Sequence, residues 1–315
     1  MPELKKIATR ESYGHALVEL GKKHEDLIVL DADLAEATKT SLFRKEFPQR
    51  HIDCGIAEAN MMGIAAGLSL TGRIPFASTF AMFAAGRAYE QVRNTIGYPH
   101  LNVKIAATHA GISVGEDGAS HQCLEDLALM RLIPGMTVMC PADDVEARAM
   151  VEAAYAHEGP VYMRFGRLAV PAVNDPASYR FEWGKGKTLR EGGDITVFAT
   201  GLMVAPALAA AEKLAAEQHV EASVVNIHTI KPLDEELVLA KAKDAKLVVT
   251  AEEHSILGGL GGAVAELLSE KAPKRILRIG VRDVFGESGP AVELLKKYRL
   301  DDVGVYEQIR EGLKM

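Results

Sequence analysis

The sequence predicts an α/β fold of two domains, each a mainly parallel sheet flanked by helices. Short apolar, β-rich segments alternate with longer helical patterns along the 315 residues. Segments such as 103–108 are apolar on both faces, which is typical of parallel strands covered by helices on both sides. A stretch with several glycines and the only tryptophan interrupts the alternation at 166–194. We therefore predict a first domain at 1–170, a linker with little regular structure at 171–190 and a second domain at 191–315.

The individual elements follow from the same patterns. In the first domain we predict strands at 27–30, 50–54, 74–78, 103–108, 137–140 and 161–165. A helix is predicted at 143–157, because acidic residues begin it and Gly159 and Pro160 follow it. In the second domain we predict strands at 195–200, 222–227, 247–251 and 276–279, and helices at 204–218, 234–241 and 259–270.

The composition argues against several classes of function. A net charge of −7 offers no basic surface for nucleic acid, so no nucleic-acid partner is expected. No apolar run is long enough to span a membrane, and the N-terminal segment lacks the apolar core of a secretory signal. The three cysteines are isolated, which indicates neither a zinc site nor a disulfide framework. A reduced, cytoplasmic setting is expected.

The most informative side chain is Glu58, in the stretch GIAEANMMGIAAG. Nearly every residue within two helical turns is small or apolar, so the carboxyl group is expected to lose hydration and its pKa to rise. A carboxyl group that holds a proton near pH 7 is useful in catalysis. The alternative is half of a capping box, with Gly55 as the N-cap and Glu58 as the third helical residue.

Two further segments of the first domain indicate a site. Phe80 and Phe83 lie one helical turn apart, where they either belong to the core or form a flat wall for a heteroaromatic ring. The segment THAGISVGEDGASHQ, residues 108–122, follows an apolar strand. Ligands collect where loops leave the carboxyl ends of parallel strands, so His109, Asp117 and His121 are candidate site residues. The alternative is a solvated loop, and the spacing matches no common metal site.

Another glycine-rich segment, EEHSILGGLGG at 252–262, follows a predicted strand and begins a helix, as a phosphate-binding turn would. Its glycines lack the G-x-G-x-x-G spacing, and no acidic residue ends the next strand at the required distance. We therefore interpret these glycines as close helix–sheet packing and predict no dinucleotide here.

Taken in order, the segments GIAEANM, STFAMF and THAGISVGEDGASHQ resemble the pyrimidine-binding domain of the transketolase family. The segments EEHSILGGLGG and GVRDVFGESG resemble the C-terminal domain of the same family, so the resemblance covers nearly the whole chain. It implies thiamine diphosphate as the cofactor. It also implies transfer of a two-carbon ketol unit from a ketose phosphate to an aldose phosphate, with sugar phosphates as substrates.

The resemblance implies which residues would bind the cofactor and which would bind or act on the substrate. Glu58 would contact a ring nitrogen of the cofactor's aminopyrimidine, and Phe83 would stack on that ring with Phe80 beside it. Ile56 would line the same pocket. The implied catalytic residues are Glu58, His109 and His121. The implied substrate-binding residues are Asp33, His109, Asp117, His121 and Arg164, with Arg167 as the other candidate for a phosphate clamp.

The sequence departs from the family in three respects. Gly86 stands where a third aromatic residue usually follows, so the pocket wall is expected to be more open. Ala37 stands where a serine that touches phosphate is expected, which leaves the need for a phosphate undecided. The GDG motif that holds the diphosphate and its metal is absent, and GEDG at 115–118 is a different motif.

The third departure implies a split enzyme that is inactive as this chain alone. This chain would have no metal site of its own. An N-terminal partner subunit would bind the diphosphate and Mg²⁺ (or Ca²⁺), and self-association into a dimer of such pairs would give a heterotetramer.

Three alternatives stay open. The first two are the β-type subunit of a 2-oxo acid dehydrogenase and an enzyme like deoxyxylulose-phosphate synthase. The third is a non-catalytic paralogue. The histidines of the GEDG loop argue against the dehydrogenase, and their presence together with Glu58 argues against a paralogue without activity.

Overall fold

Two mainly parallel sheets flanked by helices make up the part of the chain described by a computed structural model, residues 6–314. The predicted α/β fold of two such domains is therefore confirmed, while the domain boundaries stay predictions. The strands are β1 Lys6–Ala8, β2 Leu27–Asp31, β3 His51–Asp53, β4 Ile74–Phe80, β5 Lys104–Thr108, β6 Thr137–Met139, β7 Val161–Arg164, β8 Ala169–Pro171, β9 Lys187–Arg190, β10 Ile195–Ala199, β11 Ala222–Asn226, β12 Thr229–Lys231, β13 Leu247–Ser255 and β14 Ile276–Val281.

The helices pack on both sides of these sheets. The α-helices are α1 Thr9–Lys23, α2 Ala35–Thr38, α3 Thr40–Glu46, α4 Glu58–Ser69, α5 Tyr89–Gln91, α6 Asp126–Arg131, α7 Asp144–Ala156, α8 Val204–Gln218, α9 Glu235–Ala242, α10 Leu260–Lys271, α11 Ala291–Lys297 and α12 Asp302–Leu313. Two π-helical segments occupy Phe83–Arg87 and Val92–Gly97. Three 3-10 helical segments occupy Pro48–Arg50, Ile112–Asp117 and Gly201–Met203. Within residues 6–314, none of these helices combines the length and the apolar character needed to cross a membrane.

The first sheet has the strand order β12-β6-β7-β5-β4-β2-β3. All neighbouring strands in it are parallel except β12, which pairs antiparallel with β6 and sets Thr229 opposite Met139. Because β12 follows strands β9, β10 and β11 of the second sheet along the chain, it joins the two halves of the molecule. The sequence did not predict β12, since three residues are too few to give a periodic pattern.

The second sheet has the order β14-β13-β10-β11-β9. Strands β14, β13, β10 and β11 are parallel to one another. Strand β9 is an edge strand that pairs antiparallel with β11. This edge strand is made from the last four residues of the segment predicted to have little regular structure. Its side chains are all half-buried, so the segment lacks the apolar pattern of the central strands. At the other end of the connecting segment, β8 pairs antiparallel with β1.

Apolar side chains pack on both faces of each sheet. In β4, Phe76 lies in a core with Tyr13 of α1, whereas the next residue, Ala77, lies in a different core with Met61 of α4. Adjacent residues of β10 are likewise divided between two cores of the second domain. This two-sided burial explains why the strands are continuous apolar runs in the sequence.

Some helices begin after a polar residue whose side chain caps them, and others have no side-chain cap. Helix α7 lies within the predicted helix 143–157, and Asp143 caps it by accepting a hydrogen bond from the backbone N–H of Glu146. Helix α4 begins at Glu58, and its N-cap residue Ala57 makes no side-chain bond. Gly55, with φ +67°, lies outside the helix, so the capping-box alternative is wrong. The carboxylate of Glu58 is thus available for another partner.

One buried carboxyl group joins the two domains and the connecting segment. Glu146 of α7 accepts hydrogen bonds from the Nδ2 of Asn226 in β11 at 2.8 Å and from the hydroxyl of Tyr179 at 2.7 Å. It also accepts the backbone N–H of Ala142 at 2.7 Å. Burial raises the pKa of Glu146 to about 7, although these three donors oppose the shift.

Candidate active site

Four rings from two neighbouring strand ends form a compact aromatic cluster. Phe80 ends β4 and His109 follows β5, and because these strands are parallel neighbours the two rings stack at 3.9 Å between centroids. Phe83 lies nearly parallel to Phe80 at 5.7 Å. His121, at the far end of the loop, lies roughly perpendicular to Phe83, with 5.4 Å between the ring centroids. The structure therefore brings together the predicted aromatic pair and both predicted histidines.

Arg87, which was not predicted as a site residue, connects Glu58 to this cluster. The side chain of Glu58 is 4% exposed, and its Oε1 accepts a hydrogen bond from Nη1 of Arg87 at 3.1 Å. The guanidinium of Arg87 also lies 4.1 Å from the centroid of Phe83. Arg87 follows Phe83 by one helical turn, so its spacing could have identified it. The sequence indicated apolar surroundings for Glu58. In the structure these surroundings also include the cation of Arg87.

His109 is held as a neutral ring by its neighbours. Its Nε2 lies 3.0 Å from Nη1 of Arg10, and because a guanidinium only donates, this nitrogen must accept. The ring proton then lies on Nδ1, which is 2.9 Å from Oγ1 of Thr108. Burial, reinforced by the positive charges of Arg10 and Arg167, lowers the pKa of His109 to about 3. At neutral pH the ring accepts at one nitrogen and donates at the other.

Two guanidinium groups, those of Arg10 and Arg167, lie near His109. Arg10 donates to the carbonyl of Ala37 at 2.9 Å, and Arg167 donates to Glu116 at 2.8 Å and to the carbonyl of Val114. Arg10 was not predicted as a site residue. No local pattern marks it, because its role depends on the contact between the start of α1 and the loop after β5. Together the two guanidinium groups can bind an anion.

Arg164 does not lie among these cations. Its side chain is 5% exposed, and its Nε donates to Oδ2 of Asp126 at 2.9 Å. Its Nη2 donates to the backbone carbonyl of Glu253 at 2.8 Å. The prediction that Arg164 clamps a phosphate is therefore wrong in this structure, because β7 directs the side chain beneath the loop, where Asp126 neutralises it. Arg167, the other candidate, is about one-third exposed beside the loop.

The remaining predicted residues lie at the surface. Asp117 is exposed at the end of the helical turns Ile112–Asp117, on the same loop as the two histidines. Ile56 is 74% exposed two residues before Glu58. Asp33 is exposed with φ +60°, and its backbone N–H donates to Oδ1 of Asp53 at 3.0 Å. Within residues 6–314, no hydrogen bond or ion pair joins Asp33 to the histidines, so the structure does not link it to the cluster.

The two positions of departure from the family have distinct surroundings. Gly86 is exposed beside Arg87, and a Cβ there would approach the terminal methyl of Met82 at 2.6 Å. A larger residue at this position would therefore have to displace Met82. Ala37 contributes its backbone carbonyl to Arg10 instead of a hydroxyl to a ligand.

The glycine-rich turn before α10 already has an occupant. The carboxylate of Glu252 accepts the backbone N–H groups of Leu260 at 2.7 Å and Gly261 at 2.8 Å, which fits the interpretation as close packing. A Cβ on Gly259 would collide with this carboxylate. Among residues 6–314, no group of three or more His, Cys, Asp or Glu side chains is arranged to hold a metal ion.

Comparison with known protein families finds two matches along the chain. Residues 5–172 match the family described as the transketolase pyrimidine-binding domain. Residues 184–305 match the family described as the transketolase C-terminal domain.

Similar proteins fall into two length classes. A transketolase C-terminal section from Methanocaldococcus jannaschii is 52% identical, covering 97% of this chain and 96% of that protein. A 6-deoxy-6-sulfo-D-fructose transketolase subunit from Clostridium sp. strain MSTE9 is 47% identical, covering 92% and 90%. The transketolase of Rattus norvegicus is 38% identical over 97% of this chain, which corresponds to only 49% of that enzyme.

Solved structures show the same two classes. A split-gene transketolase, described as an inactive β4 tetramer, superimposes with a TM-score of 0.90 and 55% identity, covering 98% of this chain and 99% of that one. A transketolase from Pichia stipitis in complex with sedoheptulose 7-phosphate superimposes with a TM-score of 0.83 and 25% identity over 99% of this chain and 46% of that one.

Proposed function

The chain belongs to the transketolase family, and from this premise we propose that it is the C-terminal subunit of a split transketolase that depends on thiamine diphosphate. It would act with a partner subunit to transfer a two-carbon ketol unit from a ketose phosphate to an aldose phosphate. The observation that carries the proposal is the position of Glu58, a buried carboxylate linked through Arg87 to the face of Phe83.

The residues around Glu58 suit an aminopyrimidine ring. Phe83 and Phe80 offer flat apolar surface, and Glu58 can share a proton with a ring nitrogen in a largely desolvated setting. Ile56, exposed two residues before Glu58, would cover another edge of the ring. When bound, thiamine diphosphate supplies the nucleophilic carbon that allows a ketose to be cleaved beside its carbonyl group. The chain's own part is to hold and orient the ring.

The histidines would handle the substrate. His121 is partly exposed at the edge of the aromatic cluster, where it can donate to or accept from a sugar hydroxyl. His109 is neutral and faces the cations, so its role would be to orient rather than to carry charge. Asp117, exposed on the same loop, would accept a hydrogen bond from a second hydroxyl.

The phosphate end of the substrate would bind beside His109. Arg10 and Arg167 both raise the local positive potential there, since both lower the pKa of the same histidine. Arg167 replaces Arg164 in the proposal, because Arg164 is buried against Asp126. A guanidinium pair suits a dianionic group such as a phosphate, and a sulfonate would meet the same donors with less charge.

A partner subunit is supported by the relatives. Those that this chain matches from end to end are described as a C-terminal section or as a subunit, whereas the longer enzymes are about twice its length. The proposed partner supplies the diphosphate-binding domain and the site for Mg²⁺ or Ca²⁺. Two copies of each chain would form a heterotetramer. The split-gene relative is described as an inactive β4 tetramer, which supports self-association of this chain.

The test is reconstitution. This chain would be purified alone and together with a chain carrying a diphosphate-binding domain, then supplied with thiamine diphosphate, Mg²⁺, a ketose phosphate and an aldose phosphate. Ketol transfer by the pair but not by either chain alone is expected. Activity of this chain alone would contradict the need for a partner, and inactivity of every pair would contradict the proposed reaction.

The same preparation separates the rival reactions. Similarity to 1-deoxy-D-xylulose-5-phosphate synthase 1 of Geobacter sulfurreducens, at 37% identity over 93% of this chain, makes pyruvate the second donor to test. Turnover of pyruvate with glyceraldehyde 3-phosphate would favour a synthase of that kind. Turnover of a 2-oxo acid with a lipoyl domain would favour a dehydrogenase subunit instead.

A further inference from the structure

The loop that carries His109, Asp117 and His121 is held from the second domain. We propose that Glu253, in β13, is a positioning residue that fixes this histidine loop, defined as residues 109–122. That the loop takes part in a reaction rests on the proposed function, whereas its positioning rests on contacts within the chain.

The carboxylate of Glu253 is enclosed by the start of the loop. Its side chain is 3% exposed, and its Oε1 accepts the backbone N–H of Ser113 at 2.6 Å. Gly111 has φ +84°, and a Cβ at this position would lie 2.4 Å from the carboxyl carbon of Glu253. Only glycine allows the backbone to turn this closely over the carboxylate. A buried backbone N–H needs an acceptor, and Glu253 supplies it from the other domain.

The residues that follow the loop are fixed by the same strand. The backbone N–H of Ser255 donates to the carbonyl of Leu124 at 2.8 Å. Arg164, paired with Asp126, donates to the backbone carbonyl of Glu253 at 2.8 Å. The end of β13 therefore touches the chain just after the loop through its backbone and the start of the loop through the Glu253 side chain.

Hydrogen bonds connect the two ends of the loop and join its last residue to the segment before α11. The backbone N–H of Gly111 donates to the carbonyl of Cys123 at 2.9 Å. The Nε2 of Gln122 donates to the carbonyls of Ile112 at 3.2 Å and Glu287 at 2.9 Å. Because both ends are tied together, displacement of Ser113 would reach His109 on one side and His121 on the other.

Substitution of Glu253 tests the contact without removing its neighbours. Glu253→Ala removes the acceptor for Ser113 but keeps the backbone carbonyl of residue 253, which accepts the hydrogen bond from Arg164. Glu253→Gln keeps an acceptor oxygen of similar size and is expected to restore the contact. The readout is hydrogen–deuterium exchange of the full chain. Loss of one buried hydrogen bond predicts about tenfold faster exchange of residues 111–118, with the two sheets unchanged.

A matched control lies in the preceding residue. Glu252 is fully buried on the same strand, but its carboxylate binds the start of α10 and not the loop. Glu252→Ala should speed exchange near residue 260 and leave the loop as in the wild type. Unchanged loop exchange in Glu253→Ala, or equal acceleration in Glu252→Ala, would overturn the proposal. Should the alanine variant fail to fold, Glu253→Asp, shorter by one methylene, provides the same comparison.

Activity provides the second readout once the assembly is reconstituted. Misplaced histidines predict a fall in kcat of about tenfold for Glu253→Ala, with recovery in Glu253→Gln. A loss of activity that glutamine does not restore would contradict a positioning role. If the wild-type assembly shows no ketol transfer, the proposed function fails, and the exchange experiment still decides whether Glu253 fixes the loop.

Discussion

Glu58 and Arg87 form an ion pair in which the acid is buried and the base is not. Nη1 of Arg87 lies 3.1 Å from Oε1 of Glu58, and the side chains are 54% and 4% exposed, respectively. The same guanidinium covers the face of Phe83. The charge that neutralises the buried acid therefore also lies on the aromatic surface proposed to hold the cofactor ring, so the two features depend on each other.

The first prediction concerns the strength of this pair. Arg87→Met leaves the carboxylate of Glu58 buried without a cation, and because Arg87 is half-exposed we expect a loss of about 1–2 kcal/mol in the free energy of unfolding. Adding Glu58→Gln should recover most of that loss, since no buried charge remains. A double-mutant cycle by urea unfolding measures the coupling. Arg93→Met, an exposed change in the same helical stretch, should cost less than about 0.5 kcal/mol. Additive effects at positions 58 and 87 would show that the pair is not coupled.

The second prediction concerns the reaction. Glu58→Gln keeps the shape of the side chain but cannot share a proton as a carboxylic acid does, so turnover of the reconstituted enzyme should fall by about a hundredfold or more. The far-ultraviolet circular dichroism and Tm should stay close to those of the wild type. Glu152→Gln, an acid-to-amide change at the surface of α7, is the control and should keep full activity. Near-normal turnover of Glu58→Gln would remove Glu58 from the mechanism.

The central strands were predictable because each is buried on both faces. β4 and β5 place Phe76, Ala77, Ile105 and Ala106 in cores on opposite sides, so the sequence shows an unbroken apolar run. The short antiparallel strands β9 and β12 have no such run. They form because the larger sheets offer unpaired edges, which is a tertiary effect that a local pattern does not contain.

The site divides in the same way. Phe80, Phe83 and the two histidines follow strand ends or lie one helical turn apart, and sequence spacing indicated them. Arg10 and Glu253 are distant in sequence from the loop that they contact, so spacing could not identify them. Arg164 and Arg167 looked alike in the sequence, because only the structure shows which of them lies inside β7.

The third prediction separates these two arginines. Arg167→Gln should raise the KM for a phosphorylated aldose by about tenfold with a smaller change in kcat, and it should leave the KM for the unphosphorylated aldose unchanged. Arg167→Lys should recover part of the affinity, because a charge remains without the planar fork. Arg180→Gln, exposed in the connecting segment, is the control. An equal rise in KM for both aldoses would mean that Arg167 acts through the loop and not through the phosphate.

The fourth prediction concerns His109 at acid pH. Its folded-state pKa of about 3 lies below the ordinary value of 6.5, so between these two values the unfolded chain binds a proton that the folded chain does not. This histidine therefore adds no penalty above about pH 6.5 and destabilises the fold as the pH falls toward 3. His109→Gln should lose less stability than the wild type between pH 7 and 4.5, by about 2–3 kcal/mol. His15→Gln, an exposed change on α1, should follow the wild-type profile. Parallel profiles for His109→Gln and the wild type would show that folding does not lower the pKa of His109.

The fifth prediction has the opposite sign, and it concerns the carboxyl group between the domains. Burial raises the pKa of Glu146 from 4.5 to about 7, so between these values the folded chain binds a proton that the unfolded chain has lost. The contribution of Glu146 is therefore greatest below about pH 4.5 and is lost as the pH rises through 7.

Glu146→Gln removes this titration but keeps an oxygen for Asn226 and Tyr179, so the variant should gain on the wild type as the pH rises from 5 to 8. The full gain is about 3 kcal/mol in the free energy of unfolding. Urea unfolding at pH 5 and at pH 8 measures it. Glu152→Gln, on the exposed face of the same helix, should show no such gain. A constant difference between Glu146→Gln and the wild type would mean that Glu146 stays charged when folded. Its contacts with Asn226 and Tyr179 would then join the domains as a fixed carboxylate and not as a group that loses its proton near neutral pH.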